Sequence, residues 1–160
     1  GALAHDILER LMRHWLLSIA CTLVSLSAWA SDAGQVLGHW LTPEDNAVIE
    51  IYRDGERFSG RIVSLKEPNY PDGHSQAGQP KRDLNNPDES KQDRLIVGLN
   101  MIEGFEHIGD GRYEGGTIYD PRNGVTYQCD MSLQSDGTLE VRGYVGLSLF
   151  GKTQVWRPKP

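Results

Sequence analysis

Short runs in which apolar and polar residues alternate recur along the chain from residue 36 onward. A period of two places successive side chains on opposite faces of an extended strand, whereas a helix requires a longer period. We find no helical period of useful length after residue 35 and predict eight β-strands. They are 36–42, 47–53, 58–65, 95–102, 112–119, 125–133, 138–145 and 149–156.

Most connections between these strands are short and contain residues that form tight turns. Asp54-Gly55 and the segments 109–111, 120–124 and 135–137 contain Gly, Asn or Asp, which tolerate a positive φ. Short connections make neighbouring strands antiparallel and the topology a meander. We therefore predict an all-β fold, an eight-stranded antiparallel meander barrel, because closure removes exposed strand edges; a two-sheet β-sandwich is the alternative.

The strand at 125–133 shows the alternation most clearly. Its odd-numbered positions are apolar or aromatic, and its even-numbered positions are polar. We therefore predict that Tyr127 and Cys129 point into the barrel. Tyr127 becomes a candidate ligand contact, and Cys129 a buried and unreactive thiol.

One connection is long. Residues 66–93 form a polar, proline-containing segment between the third and fourth predicted strands. Such a segment inside a compact domain is typically a lid, a binding loop or a disordered excursion. The strand after it, 95–102, is apolar on both faces, so we expect part of the long segment to cover its outer face.

The first thirty residues show the order of segments that is typical of a secretory signal peptide. From Met12 a short basic start leads into an apolar run, and Ala28 and Ala30 are the small residues that signal peptidase recognises. The run is shorter than the ~20 residues that a membrane span needs; a retained anchor or buried helix is the alternative. We predict a signal-peptide helix that is cleaved after Ala30, export to the periplasm, and a single barrel domain over 31–160. Residues 1–11 are interpreted as an extension upstream of the true start.

Composition narrows the class of function. The net charge is −6 and there is no basic patch, so nucleic acid and anionic lipid surfaces are poor candidates for partners. The histidines lack the spacing of zinc ligands, and no serine lies in a G-x-S-x-G motif. We expect no catalytic residue, no metal and no cofactor, and the sequence does not favour an enzyme.

Residues at the two ends of the predicted barrel resemble the lipocalin and calycin arrangement. Gly38-His39-Trp40 opens the first strand, and Arg157 follows the last. The resemblance implies that Gly38 permits close packing, that Trp40 plugs the barrel floor, and that Arg157 caps the indole by a cation–π contact.

Longer motifs carry a second resemblance, to the exported bacterial family known as domain of unknown function 2147. It covers roughly residues 36–157 and implies a β-barrel-like exported domain of Gram-negative bacteria without an assigned activity. The motifs are GHWLT, IEIYRDGERFSGRIV, DLNNPDES, LIVGLNMI, YEGGTIYDPRNGVTYQCDMSL and VRGYVGLSLFGKTQVW.

Arg142-Gly143-Tyr144 has the R-x-Y form with which small fatty-acid-binding barrels hold a carboxylate. A guanidinium and a phenol two positions apart share one strand face and could converge on two oxygens. Alternation offers another interpretation, because Leu139, Val141 and Val145 form the apolar set and leave Arg142 and Tyr144 on the outer face. A structural role for Arg142 under the long segment is a third interpretation, and all three stay open from the sequence.

Acidic and amide side chains are concentrated in the loops. Asp83, Asn86 and Asp88 lie in the long segment and Asp120 in a predicted turn. Hard oxygen ligands suit calcium, but the spacing of a calcium loop is missing, and turn-forming hydrogen bonds explain the same residues. The carboxylates could also serve as a general acid–base pair.

Three functions follow from these patterns. The leading hypothesis is non-covalent binding of a small apolar or amphipathic ligand inside the barrel, with Arg142 and Tyr144 as polar contacts and 66–93 as a lid. The second is a protein- or glycan-binding module of the cell envelope. The third is an envelope hydrolase that uses the loop carboxylates.

Overall fold

The computed structural model describes residues 32–146 and 151–160, and they form a closed β-barrel. The predicted upstream extension and signal-peptide helix lie outside the described residues. Within the described part of the chain, no helix has the length and apolarity that a membrane crossing requires.

Eight antiparallel strands make up the barrel, each paired with the next, and the last is paired with the first. They are β1 (Gly38–Leu41), β2 (Ala47–Asp54), β3 (Arg57–Leu65), β4 (Asn100–Gly109), β5 (Arg112–Asp120), β6 (Val125–Leu133), β7 (Leu139–Tyr144) and β8 (Lys152–Pro158). Short 3₁₀ turns span Gly34–Val36, Pro43–Asp45 and Glu89–Lys91. The predicted all-β, eight-stranded antiparallel barrel is confirmed, and the β-sandwich alternative is wrong because β8 joins β1.

The fourth strand differs most from its predicted position. The apolar run at 95–102 predicted a strand there, whereas β4 begins only at Asn100 and extends to Gly109. Ile102 and Phe105 are both fully buried although they are three positions apart. A shift in the pairing with β3 accommodates this spacing, and such an irregularity interrupts the period of two on which the prediction relied.

The apolar residues before β4 belong to the long connection. Ile96 and Leu99 are buried there. The backbone nitrogen of Gly98 donates to the carbonyl of Ile62 in β3, and Ile62 donates in return to Leu99. Ile96 and Leu99 therefore pack against the barrel from a loop, and residues 95–99 do not form a strand that needs cover on both faces.

The two ends of the barrel differ in their connections. The β2–β3, β4–β5 and β6–β7 turns lie at one end with the 3₁₀ turn Gly34–Val36, which precedes β1; we call it the packed end. The opposite end carries the β1–β2 and β5–β6 turns and the long connection 66–99; we call it the loop end.

Large aromatic side chains fill the interior toward the packed end. The rings of Phe58 and Tyr113, both almost wholly buried, meet edge to face with centroids 5.2 Å apart. The indole of Trp40 donates to the carbonyl of Val36, at 2.9 Å, and this bond ties the 3₁₀ turn across the floor. Burial of a large apolar side chain stabilises the fold by about 1.5–3 kcal/mol. The ring contact and the indole hydrogen bond also fix the orientation of these side chains.

A glycine on the inner face makes room for one of these rings. A Cβ atom at Gly116 would lie 2.4 Å from the ring of Phe105. Any side chain there would overlap the ring, so the close approach of β5 to Phe105 depends on the missing Cβ.

The closure of the barrel rests on a short seam between β1 and β8. Trp40 pairs with Pro158 and Leu41 with Arg157. The side chain of Arg157 forms an ion pair with Asp45 in the β1–β2 connection. The expected cation–π contact of Arg157 with Trp40 is therefore wrong, because pairing with Leu41 directs the guanidinium toward Asp45, while the indole is held by the 3₁₀ turn.

The reactivity of the Cys129 thiol can be used to test whether this residue of β6 points into the barrel. It is fully buried, and burial together with the Asp130 carboxylate raises the pKa of its thiol to about 12. In a Cys21→Ser protein at about pH 8, we expect iodoacetamide to label native Cys129 at least about a hundredfold more slowly than the urea-unfolded protein. Mass spectrometry of timed samples measures both rates. Equal rates would contradict the inward orientation.

Candidate functional site

The outward orientation of Arg142 and Tyr144 is settled by their neighbours on β7. Leu139 and Val141 are buried, and residues that alternate with them point to the other face. Arg142 pairs with Asp130 on β6 and with Thr153 on β8. The interpretation of Arg142 and Tyr144 as a clamp inside the barrel is therefore wrong, and the outer-face alternative is the one observed.

Both side chains have partners on this outer surface. Arg142 Nη1 donates to Thr153 Oγ1 at 2.8 Å. Burial and the charge and hydrogen bond of the neighbouring Asp130 raise the pKa of the Tyr144 hydroxyl. Arg142, Asp130 and Glu140 line a shallow cleft on the outside of the barrel. Charges of both signs alternate there, as on an ordinary solvated sheet face.

Tyr127 does face inward, as predicted. It pairs with Ile118 on β5, which in turn pairs with the fully buried Ile102 on β4. Directly paired residues of antiparallel strands share one face. Its hydroxyl accepts a hydrogen bond from Asn123 Nδ2 at 3.0 Å, in the β5–β6 turn.

The interior near the loop end is lined differently from the packed end. Gly143 pairs with the buried Cys129 and therefore also faces inward. A Cβ atom on Gly143 would touch Ile118 and Tyr127 at ordinary contact distances of 3.4 and 3.7 Å. Ile118 and Tyr127 are both partly exposed although they face inward. Inward-facing side chains at this end of the barrel are therefore partly exposed to solvent.

Two inward-facing polar residues were not predicted from the sequence. Lys152 and Gln154 lie on β8, two and four positions before the fully buried Trp156. The alternation of KTQVW contained this signal, because residues at spacings of two share a face.

A buried carboxylate organises the long connection. The side chain of Asp83 is wholly buried. Its Oδ1 accepts from the Tyr119 hydroxyl at 2.6 Å, and its Oδ2 accepts from Arg94 Nη2 and Asn86 Nδ2 at 2.8 Å each. We call these four residues the Asp83 cluster. Both oxygens are engaged, so a structural role is assigned to the residue that had been a candidate ligand or acid–base group.

Tyr119 links this cluster to the barrel wall. It lies on the outer face of β5, next to the inward-facing Ile118. Burial, with the hydrogen bond and charge of Asp83, raises the pKa of its hydroxyl to about 12. The hydroxyl therefore keeps its proton and donates to the carboxylate over the physiological pH range.

A second contact fastens the connection to the β5–β6 turn. Asn85 Nδ2 donates to the carbonyls of Pro121 and Arg122, at 3.3 and 3.0 Å. A Cβ atom on Gly124 would lie only 1.9 Å from the carbonyl oxygen of Asn85. Only glycine permits this approach, so the turn and the long connection are fitted to each other.

The remaining loop candidates form turns. Asn86 Oδ1 accepts from the backbone of Asp88, at 2.9 Å, and Asp88 Oδ1 accepts from the backbone of Ser90, at 3.1 Å. Asp120 forms two hydrogen bonds with the Arg122 guanidinium, which lower the pKa of its carboxyl. Among the described residues, no three His, Cys, Asp or Glu side chains come together as metal ligands.

Comparison with known proteins places this chain in a family. Residues 38–157 match the family model described as "Uncharacterized protein conserved in bacteria (DUF2147)". The chain belongs to the DUF2147 family. The resemblance expected from its motifs is therefore confirmed. A search of curated proteins finds no match to the chain.

The DUF2147 barrel also resembles a solved structure. This is protein HP1028 from the human pathogen Helicobacter pylori, which is described as belonging to the lipocalin family. The TM-score is 0.66 and the sequence identity 24%, with 78% of this chain and 83% of that chain covered. The DUF2147 domain therefore has a lipocalin-like fold, as the G-x-W motif at Gly38 and Trp40 had indicated.

The Asp83 cluster should contribute to the stability of this DUF2147 domain. We expect Asp83→Ala to lower the free energy of unfolding by about 2–3 kcal/mol, because it removes the acceptor of the Tyr119 hydroxyl and one of the two acceptors of the Asn86 amide. Urea denaturation followed by circular dichroism measures the change. The control is Asp88→Ala, which removes an exposed carboxylate from the same connection and should cost clearly less. Equal losses would show that burial of Asp83 is not what matters.

Proposed function

We propose that this protein binds a small apolar or amphipathic molecule non-covalently inside its barrel. The observation that carries the proposal is the contrast between the two ends. Toward the packed end the interior is filled by buried aromatic side chains, whereas Ile118 and Tyr127 near the loop end face inward and are partly exposed. Ligand sites are concave, mostly apolar, and open at one side.

The rim of the loop end is apolar as well. Val125 is 41% exposed at the start of β6, and Val145 is 72% exposed just after β7. Each lies two positions beyond an inward-facing residue, Tyr127 and Gly143 respectively. An apolar ligand that enters at this end would cover these side chains and gain about 25 cal/mol for each Å² removed from water.

In this proposal the long connection is a fixed element on the outside of β5 and does not act as a hinged lid. The Asp83 cluster and the contact of Asn85 with the β5–β6 turn hold it against the outside of β5. A ligand would therefore enter beside a preformed rim, which lowers the entropic cost of binding.

Filling the interior tests ligand binding directly. Gly143→Leu adds a side chain between Ile118 and Tyr127, whereas the control Tyr144→Leu changes the adjacent residue on the outer face. With the neutral fluorescent probe N-phenylnaphthylamine, we expect Gly143→Leu to weaken binding about tenfold or more and Tyr144→Leu to leave it within about twofold. Thermal denaturation of both variants verifies folding, and Gly143→Ala provides a smaller substitution.

Two results would overturn this proposal. One is that the unaltered protein takes up no apolar probe. The other is that probe binding survives Gly143→Leu in a folded protein, since the probe would then bind on the surface.

We also propose that the protein works in the periplasm, because the segment ending at Ala30 has the pattern of a signal peptide. Expression from Met12 in a Gram-negative host should give a periplasmic protein that begins at Ser31. Mass spectrometry of periplasmic and cytoplasmic fractions measures this. Ala30→Asp should leave the precursor uncleaved. An intact precursor in the cytoplasm of cells that express the unaltered chain would contradict export.

A further inference from the structure

The eighth strand turns two polar side chains toward the barrel interior. Trp156 is fully buried, and Gln154 and Lys152 share its face because they lie two and four positions before it. Cross-strand pairing agrees: Gln154 pairs with the buried Val141, and Lys152 pairs with the inward-facing Gly143.

Gln154 is held in one orientation by its neighbour. The indole Nε1 of Trp156 donates to Gln154 Oε1 at 3.0 Å. This contact uses the carbonyl oxygen of the carboxamide, so the Nε2 hydrogens point away from the indole. Gln154 and Lys152 are both exposed, so a molecule in the open half of the barrel can reach them.

Lys152 supplies a positive charge to this face without a matching carboxylate. It makes no ion pair with any residue in the described ranges. The acidic residues of the two preceding strands, Asp130 and Glu140, point to the outer cleft with Arg142. A positive charge on the inward face of β8 can attract an anionic group that enters at this end.

From this geometry we infer that Lys152 and Gln154 form an anion-binding subsite inside the barrel, and that the ligand is an amphiphile with a carboxylate head group. The inference rests on the proposed function and names its ligand class. One carboxylate oxygen accepts from Lys152 Nζ and the other from Gln154 Nε2, while the apolar tail lies along Ile118 and Tyr127. A charge-assisted pair of donors on one strand suits the two oxygens of a carboxylate.

Matched ligands separate the head group from the tail. Dodecanoate and dodecanol share a tail and differ in charge, and each displaces N-phenylnaphthylamine if it enters the barrel. We expect the unaltered protein to bind dodecanoate about tenfold or more tightly than dodecanol. Acetate, which has the head group alone, should not displace the probe.

Matched variants then assign the preference to residues. Lys152→Met keeps the length of the side chain and removes its charge, so it should weaken dodecanoate binding about tenfold and change dodecanol binding less than about twofold. Gln154→Leu should give a smaller loss of the same kind, and Lys152→Arg should retain the preference. Arg142→Gln, on the outer face, is the control and should change neither affinity.

The outcomes distinguish this inference from the proposed function. If the protein binds N-phenylnaphthylamine and dodecanol but shows no preference for dodecanoate, the anion-binding subsite is wrong and the barrel still binds apolar molecules. A preference that persists in Lys152→Met, or that is lost in Arg142→Gln, overturns the assignment to these residues. If no probe binds at all, the proposed function itself fails.

Discussion

The pairing of β1 with β8 is the constraint on which the rest of this structure depends. Two residue pairs, Trp40 with Pro158 and Leu41 with Arg157, join the ends of the sheet, and the ion pair of Arg157 with Asp45 lies beside them. Once the sheet is closed, every strand has a paired neighbour on both sides, and each side chain lies either in a shared interior or on the outside. Closure thereby sorts the alternating residues of every strand into one inward-facing set and one outward-facing set.

The interior enclosed in this way has two halves with different properties, one toward each end of the barrel. Toward the packed end, Phe58, Phe105 and Tyr113 occupy the interior, and glycine at position 116 leaves the space that one ring needs. Toward the loop end, the inward positions are small, such as Gly143, or partly exposed, such as Tyr127. The aromatic floor and the partly exposed inward-facing side chains above it are formed by different residues. In the proposed function, stability and ligand access would therefore depend on different parts of the barrel.

The acidic residues of the long connection resemble a functional motif in the sequence, but their role in the structure is to hold the connection in place. A buried carboxylate is costly unless its oxygens are fully hydrogen-bonded, and Asp83 is stabilised by Tyr119, Arg94 and Asn86. These donors bring together residues that lie as far apart in the chain as positions 83 and 119. The long polar segment has no apolar core of its own to fix its conformation. The cluster holds it in one conformation against the barrel.

Local alternation was sufficient to predict the strands other than β4 to within a few residues, the inward orientation of Tyr127 and Cys129, and, with the turns, an antiparallel barrel. The same alternation indicated that Arg142 points outward, because the adjacent Val141 is apolar and therefore points inward. Sequence motifs were likewise sufficient for the family. These features depend on residues that are adjacent or two positions apart, whose relation is fixed by the geometry of an extended chain.

Only the tertiary structure decided the limits of β4, the partners of Asp83, and the exposure of the inward-facing Lys152 and Gln154. An irregular pairing of β3 with β4 breaks the period of two, and no local pattern reveals where such a shift occurs. The partners of Asp83 and the accessibility of Lys152 depend on which distant strands meet when the barrel closes. Closure and register are properties of the whole sheet, and for that reason the chemistry of the interior could not be derived from any single segment.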